Sequence, residues 1–472
     1  MQRSKNNIFR LFALALVAMA MLLPQVTMAQ SSSLNAYSPY SMYGPGEIHT
    51  PGSVQMRSMG GVGLGLRSAS QVNVLNPAAA SVVPSKSFLF DLNIDGAHYN
   101  NRQMRYTADG LEADESRTAY NTGNIHNIGI QFPLAKGLGA MFNISPYSSV
   151  GYRVMTTDEQ FDNWADIGQV EYIHAGEGDI TEVKFAIGWA PVRKFSIGVA
   201  ARYLWGTIDR EYATKISNVV TGSGSYAHTV GADSFIVNNF KFQVGLQWSI
   251  IADDKRMLTL GATYDLGGRL NPRERNYLYT DNEYHGVVSG GFPIRNEISK
   301  LELRVPHQVA AGLYYLDRKI AWGVDYSYSM WGGDNESYVE NPNLQNISVA
   351  YADTHTIKAG IEFVPRRGDT RNYFNRVSYR FGARVGNYYQ TFYGEQINTM
   401  AVTAGLGFPI RLWGSSSINV GFEYGRMSTP KSVVVGGQKI GLTTQNYFKL
   451  SLGFSLFSHD TNDYWFVRQK FD

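Results

Sequence analysis

The chain has 472 residues, contains no cysteine, and carries a formal net charge of +3 with 17% charged residues. The missing cysteines exclude disulfides, thiol chemistry and cysteine-ligated metal sites. A charge so close to balance lacks the electrostatic footprint of a nucleic-acid binder, and the charged fraction is below the roughly 25% of soluble domains.

The N-terminus has the pattern of an export signal. Basic residues precede an apolar run at 11–23, which is too short to span a bilayer, and a small residue, Ala29, precedes the expected cleavage point. We therefore expect a signal peptide over 1–29, with a membrane anchor helix as the less favoured alternative. No second apolar run reaches the roughly 18–20 residues of a spanning helix.

From residue 85 onwards, fourteen segments alternate apolar and polar residues. In one of them, Ile418, Val420 and Phe422 lie on one side of the chain, while Asn419 and Glu423 lie on the other. A period of two is that of a β-strand, and one apolar face suits a wall between lipid and a polar lumen. The sequence therefore predicts an all-β fold, a 14-stranded antiparallel transmembrane β-barrel over 85–458. The predicted strands span 85–99, 121–133, 137–153, 178–191, 194–208, 233–251, 256–268, 300–317, 318–331, 350–364, 374–392, 395–410, 415–428 and 442–458.

The phase of the alternation sends charged residues to the inner face. A charge on the lipid face at mid-membrane costs about 2–4 kcal/mol, so consistent inward placement supports the barrel. The predicted inward set is Arg202, Lys241, Asp325, Arg380, Arg384, Glu423 and Lys449.

The connections sort by length and predict orientation. Those after strands 2, 4, 6, 8 and 12 are short, and most of the others are long and polar, including 209–232 and 269–299. Outer-membrane barrels have short periplasmic turns and long external loops, so both barrel termini are expected in the periplasm. The connection after strand 11 is short and departs from this pattern.

Two segments flank the predicted barrel. Residues 30–84 are rich in Ser, Gly, Pro and Asn and also contain scattered apolar residues, so we predict a hatch that occupies the lumen. Residues 459–472 are predicted to form a periplasmic C-terminal tail.

Two motifs in the hatch carry a family resemblance. The stretch 58–63 (SMGGVG), followed by Leu75-Asn76-Pro77-Ala78-Ala79, resembles the hatch of the FadL/TodX-type outer-membrane hydrophobic-compound transporters. The stretch from Val305-Pro306 to Tyr314 is similar to the proline-led mid-barrel strand of that family. The resemblance implies a hatch in the lumen and an inward bend of the third strand, which opens a gap for lateral release of cargo.

Pro146 lies inside the predicted third strand. A proline removes a ladder hydrogen bond and favours a kink or bulge, so it marks the expected gap, with an ordinary bulge near the loop as the alternative. The inward charges suit either a network that braces the hatch or a site for an amphipathic or anionic headgroup. The residues expected along a substrate pathway are Asn76, Pro77, Ala78, Pro146, Tyr147, Arg202, Lys241, Arg380 and Arg384.

Two functions follow from these features. The first is passive uptake of hydrophobic or amphipathic small molecules, with lateral release into the outer membrane of a Gram-negative bacterium. The second is a non-transporting barrel subunit of an outer-membrane protein secretion or assembly complex. No zinc-type H-E-x-x-H spacing and no G-x-S-x-G elbow is present, so we expect neither an enzyme nor a metal or other cofactor. The expected partners are outer-membrane lipid, a small molecule and other proteins, with one chain forming each barrel.

Overall fold

The computed structural model describes most of the chain. The described residues are 36–84, 87–106, 112–157, 169–217, 228–253, 255–270, 273–281, 292–300, 304–332, 349–410, 416–435 and 438–458. The predicted signal peptide and the predicted C-terminal tail lie outside these residues. No helix in the described part of the chain is long and apolar enough to cross a membrane.

The described residues are dominated by strands. They are β1 (Glu47–Ile48), β2 (Phe88–Tyr106), β3 (Glu112–Ala135), β4 (Leu138–Thr157), β5 (Gln169–Val192), β6 (Phe195–Ser217), β7 (His228–Ala252), β8 (Arg256–Leu266), β9 (Gly268–Arg269), β10 (Arg273–Asp281), β11 (Phe292–Lys300), β12 (Arg304–Val305), β13 (His307–Asp317), β14 (Ile320–Met330), β15 (Val349–Tyr351), β16 (Thr354–Phe363), β17 (Ser378–Phe392), β18 (Glu395–Ile410), β19 (Ser416–Ser428), β20 (Ser432–Val435), β21 (Gln438–Gly441) and β22 (Thr444–Ser458). The helical elements are α1 (Val54–Arg57) and three 3-10 helices at Pro39–Met42, Pro77–Val82 and Phe374–Arg376.

Fourteen of these strands form a closed antiparallel barrel, as the alternation predicted. Its wall consists of β2 to β8, β13, β14, β16 to β19 and β22. The barrel closes where β2 pairs with β22, from Phe88 opposite Ser458 to Arg102 opposite Thr444. Closure satisfies the backbone groups that would otherwise form exposed sheet edges in lipid.

The strand boundaries agree best at the short-turn end of the barrel. The predicted strand ends at 317 and 410 are those of β13 and β18, and the predicted start at 256 is that of β8. The short connection after strand 11 lies at the opposite, long-loop end, where it is the two-residue turn Tyr393-Gly394, with φ of 52° and 79°. The predicted eleventh strand begins later than expected, because a 3-10 helix occupies Phe374–Arg376.

The long-loop end contains more strand than the sequence predicted. β6 continues to Ser217 and β7 begins at His228, so part of the predicted loop 209–232 is strand. Within the predicted loop 269–299, β10 pairs with both β7 and β11. These extensions lie beyond the apolar belt, where neither face needs apolar residues, so the alternation that marks a membrane strand is lost.

The two faces of the wall differ as lipid and lumen require. On β7, the side chains of Phe242, Val244 and Trp248 are exposed to the outside at 54%, 48% and 51%. Every member of the predicted inward charged set is buried or half-buried. The apolar core therefore lies inside the barrel, between the wall and residues 36–84, and an apolar belt covers the outside.

The hatch fits against the wall because the inner face carries glycines where its backbone passes. A Cβ atom on Gly198 would lie 2.4 Å from the carbonyl carbon of Pro77, and one on Gly382 would lie 2.2 Å from the Gly60 nitrogen. Apolar hatch residues, including Val62 and Leu64, pack in a cluster with wall residues. No larger side chain fits at these two glycines without moving the hatch backbone.

Candidate functional site

The lumen contains a cavity of about 320 Å³ between the hatch and the wall. The hatch contributes Glu47, Ile48, His49, Thr50, Pro51, Leu64, Val74 and Leu75 to its lining. The wall residues that bear on the chemistry are Pro146, Tyr147, Glu182, Lys184, Arg202, Lys241, Asp265, Asp325, Lys358, Arg384, Tyr447 and Lys449. The cavity is therefore lined by charges of both signs and not by a continuous apolar surface.

The seam between β3 and β4 is only half paired. Pairing runs from Ala135 opposite Leu138 to Ile128 opposite Ile144, and no β3–β4 pair follows within the described residues. On its other edge, β4 stays paired with β5 as far as Thr157, with a register shift between Pro146 and Ser148. The structure thus ends the β3–β4 ladder two residues before Pro146, and Pro146 and Tyr147 line the cavity at this point.

The N-terminal part of the hatch occupies the edge of β4 that β3 leaves. β1 pairs with β4 through Glu47 opposite Ser149 and Ile48 opposite Ser148. The His49 backbone N–H donates to the Tyr147 carbonyl oxygen at 3.0 Å. The hatch therefore continues the sheet on the inner side of the gap, and the gap does not open directly onto an empty lumen.

A buried polar cluster ties the hatch to the other side of the gap. Arg57 of the hatch makes a two-pronged ion pair with Asp95 of β2, at 2.5 and 2.7 Å. His126 of β3 lies 3.2 Å from the same carboxylate and donates through Nε2 to the Thr50 carbonyl oxygen at 3.0 Å. Both strands beside the gap are thus fastened to the hatch.

A second cluster surrounds Arg202. Its guanidinium contacts Glu182 through Nε at 2.8 Å and Asp265 through Nη1 at 2.5 Å. The guanidinium carbon also lies 5.9 Å from the centre of the Tyr147 ring. Arg202 therefore links the bend in β4 to two neighbouring parts of the wall, and its charge is compensated.

The other predicted cavity cations are also engaged. Lys241 donates to the Arg269 carbonyl oxygen at 2.7 Å, and Arg384 contacts the Glu423 carboxylate through Nη1 at 3.0 Å. Lys358 differs, because among the described residues no hydrogen bond or ion pair engages its ammonium, although it lies in the field of Asp325. Lys358 could therefore meet a polar or anionic group without breaking a hydrogen bond or an ion pair within the described residues.

The remaining predicted site residues lie away from the cavity. Arg380 is 3% exposed and contacts Glu362 at 2.7 Å and Asn419 at 2.9 Å. Asn76, Pro77 and Ala78 are buried at the glycine-lined part of the wall. The Asn76 side chain accepts from the Ala78 backbone N–H at 3.0 Å and caps the 3-10 helix that begins at Pro77. Arg380 therefore joins parts of the wall, whereas the three hatch residues pack against it, and none of the four lines the cavity.

Sequence reasoning did not single out several cavity residues as site residues. Lys358 and Lys449 have the inward phase of their strands, which was the signal available for them. Glu47 and His49 lie in the hatch, where no repeating pattern indicates which side chains face the lumen. Within the described residues, no group of three or more His, Cys, Asp or Glu side chains is arranged to hold a metal ion.

Comparison with known proteins places the chain in a family. A family model described as BamG matches residues 11–472, nearly the whole sequence. The chain belongs to the BamG family. None of the curated proteins matches this BamG-family chain.

Solved structures similar to this BamG-family chain have the FadL-type barrel fold. The Pseudomonas putida toluene transporter TodX matches with a TM-score of 0.56 and 15% identity, covering 87% of this chain and 100% of TodX. A Pseudomonas aeruginosa FadL homologue matches with a TM-score of 0.54 and 12% identity, over 81% and 92% of the two chains. The Ralstonia pickettii toluene transporter TbuX matches with a TM-score of 0.53 and 13% identity, over 87% and 99%. The resemblance inferred from the hatch motifs is therefore confirmed at the level of the fold.

Proposed function

We propose that this protein is a barrel subunit of an outer-membrane protein secretion or assembly complex, in a Gram-negative bacterium. The export-signal pattern, the closed barrel and its exposed apolar belt support this location. We place the signal peptide at 1–29, the hatch at 30–84, the barrel at 85–458 and a tail at 459–472, with both termini in the periplasm and one chain per barrel.

The charged lining of the cavity is the observation that carries this proposal. Glu182, Arg202 and Asp265 form a compensated cluster in the wall, and Lys184 and Lys241 donate to backbone carbonyl oxygens. A hydrophobic molecule entering this space would meet these charged groups beside apolar side chains such as Leu75 and Trp331, and it would displace solvent from the charges at a cost. Pockets for apolar ligands are instead lined mainly by hydrophobic and aromatic side chains.

The attachment of the hatch supports the same conclusion. The ion pair between Arg57 and Asp95 and the glycine contacts at Gly198 and Gly382 bind the hatch to strands on several sides of the barrel. A lumen filled in this way suits a rigid membrane-embedded scaffold. We propose no catalytic role.

Depletion in the native host tests the subunit proposal. With less of this protein, unrelated outer-membrane barrels should lose the heat-modifiable gel mobility of their folded forms, while their precursors still reach the periplasm. Restoring the wild-type gene should restore the folded forms. Unchanged folding of the other barrels, together with reduced uptake of a hydrophobic probe, would instead support the channel described next.

The half-paired seam between β3 and β4 favours a second candidate function. A FadL-type channel would take hydrophobic or amphipathic molecules into the lumen and release them into the membrane beside Pro146 and Tyr147. Two of the similar structures are described as toluene transporters, which supports this candidate through the fold. Uptake of a fluorescent amphipath into protein-containing vesicles, compared with empty vesicles, would test it directly.

A further inference from the structure

The turns at the short-turn end of the barrel, here called the basic rim, are defined by residues 135–138, 191–195, 252–256, 317–320 and 364–377. They carry eleven Lys or Arg residues against four Asp residues, whereas the whole chain has a formal net charge of only +3. We propose that the basic rim binds anionic phospholipid headgroups of the adjacent membrane leaflet. The cations are Lys136, Arg193, Lys194, Lys255, Arg256, Arg318, Lys319, Arg366, Arg367, Arg371 and Arg376.

Two of the long-loop connections have the opposite charge balance in their sequence. The long-loop connections 158–168 and 333–348 together contain seven Asp or Glu residues and no Lys or Arg. In contrast, each turn of the basic rim contains at least one cation, and ten of the eleven are exposed. Cations near an anionic membrane surface are attracted to it, and their aliphatic stems can extend along apolar surface to reach headgroups.

The longest turn of the rim, 364–377, is held in one conformation by internal hydrogen bonds. Asp369 accepts from the backbone N–H groups of Arg371 at 2.8 Å and Asn372 at 3.0 Å, and from the Asn375 side chain at 2.7 Å. The Arg366 N–H donates to the Asn375 carbonyl oxygen at 2.7 Å. These bonds fix the course of the loop, so its arginines are presented from a defined backbone.

Aromatic side chains in the same loop lie next to the apolar belt. Phe374 is 66% exposed and Tyr373 is 37% exposed. The Arg376 guanidinium carbon lies 4.9 Å from the centre of the Tyr373 ring, and the Tyr373 hydroxyl donates to the Pro409 carbonyl oxygen at 3.1 Å. The loop directly follows Phe363, whose side chain is 43% exposed at the edge of the belt.

This combination favours lipid over an acidic protein partner. The cations occur in all five turns, which join ten of the fourteen wall strands from β3 to β17, instead of forming one patch. Aromatic rings beside them are typical of the membrane–water interface, where one end of the side chain is apolar and the other is wet. The basic rim thus matches a surface of phosphate-bearing headgroups beneath hydrocarbon chains.

Brominated lipids provide a direct test with the full-length protein in vesicles. Trp189, Trp248 and Trp322 are at least 36% exposed and lie close to the rim turns, so their fluorescence reports nearby lipid. Brominated phosphatidylglycerol should quench more strongly than brominated phosphatidylcholine, with a relative binding constant about fivefold in its favour. Raising the salt concentration from about 0.1 M to about 1 M should reduce this preference, because the Debye length falls from about 10 Å to about 3 Å.

Matched variants locate the effect. The triple variant Arg318→Gln, Arg366→Gln and Arg371→Gln should lower the preference measurably, although eight rim cations remain. The control variant Arg117→Gln, Lys431→Gln and Lys439→Gln removes the same charge at the long-loop end and should retain the preference. Heat-modifiable gel mobility verifies that both variants are folded. Equal quenching by the two lipids in the parent protein, or an equal loss in both variants, would overturn the proposal.

Discussion

The hatch meets the wall in two different ways. In its 53–84 part, the backbone lies directly against inner-face glycines such as Gly198 and Gly382, and there is no room for a side chain at either glycine. In its 36–50 part, it pairs as a strand with β4, and its aromatic rings pack against Tyr388 and Phe392. The first contact is set by shape. The second also includes side-chain hydrogen bonds, such as those that Tyr389 and Gln390 donate to the Tyr43 carbonyl oxygen. The edge of β4 that β1 occupies is nevertheless a backbone edge with which another strand could pair instead. A rigid seal and an exchangeable edge thus occur within one segment.

The largest effect is expected at the buried ion pair between Arg57, in the 53–84 part of the hatch, and Asp95 of β2. Asp95→Asn leaves a buried guanidinium without its counter-charge, which typically costs about 3–5 kcal/mol. We expect the temperature at which heat-modifiable gel mobility is lost to fall strongly.

The control for this prediction is Glu115→Gln, which removes the shared partner of the exposed Arg102 and Arg117 side chains. Exposed pairs contribute about 0–1 kcal/mol, so this variant should behave nearly as the parent. Equal stability of the Asp95 and Glu115 variants would show that the hatch does not depend on the buried pair.

A smaller effect is expected from filling the rigid seal. Gly198→Val adds three carbon atoms where a Cβ alone would lie 2.4 Å from Pro77, and overpacking of this kind typically costs about 1–3 kcal/mol. Limited proteolysis should cut the variant within the hatch sooner than the parent. Gly368→Val is the matched control, because no heavy atom lies within 4 Å of a Cβ at that position. Identical cleavage of the two variants would contradict a shape-determined seal.

The exchangeable edge is tested at Pro146. Pro146→Val restores a backbone N–H at the bend of β4 and should allow the β3–β4 ladder to extend, with little effect on stability. If the protein is a channel, uptake of a hydrophobic probe should fall while surface abundance stays constant. Pro409→Val, at the short-turn end of β18, is the control and should leave uptake unchanged. Equal uptake by the parent and the Pro146 variant would show that the proline forms only a local bulge.

The smallest effect concerns the rim loop, 364–377. Hydrogen bonds from Asn375, Asn372 and Arg371 hold the pKa of Asp369 at about 2, below its usual value. Because the folded pKa is lowered, the contribution to loop order is present above about pH 4 and is lost as the pH falls through about 2. Pepsin cleavage beside Tyr373 should therefore increase between pH 4 and pH 2, relative to an unstructured peptide substrate. Asp369→Ala should be cleaved readily at both values, and a parent protein that behaves in the same way would refute the prediction.

The sequence predicted the barrel well because lipid constrains every second residue of a spanning strand. Arg202, Lys241 and Arg384 were correctly assigned to the inner face on phase alone. The same reasoning missed β10 and β11, since strands beyond the membrane do not need an apolar face.

The details of the candidate site depend on the hatch, which has no sequence period. Nothing in the pattern around Glu47 or His49 indicates that this stretch forms a strand beside β4. Asn76 was expected along a pathway, yet its amide caps a 3-10 helix and bonds to backbone, because an Asn-Pro step is also an efficient helix start. Side-chain identity alone does not distinguish these two roles.

The inner-face glycines also constrain the order in which the chain assembles. The seam between β2 and β22 joins residues near the two ends of the barrel sequence, so it is the most distant pairing in the wall and the slowest to find by chain diffusion. Contacts as close as those at Gly198 leave no clearance for a segment to be threaded through a completed ring. The hatch therefore has to be in place before this seam forms, and the inner-face glycines mark the path of its backbone along the wall.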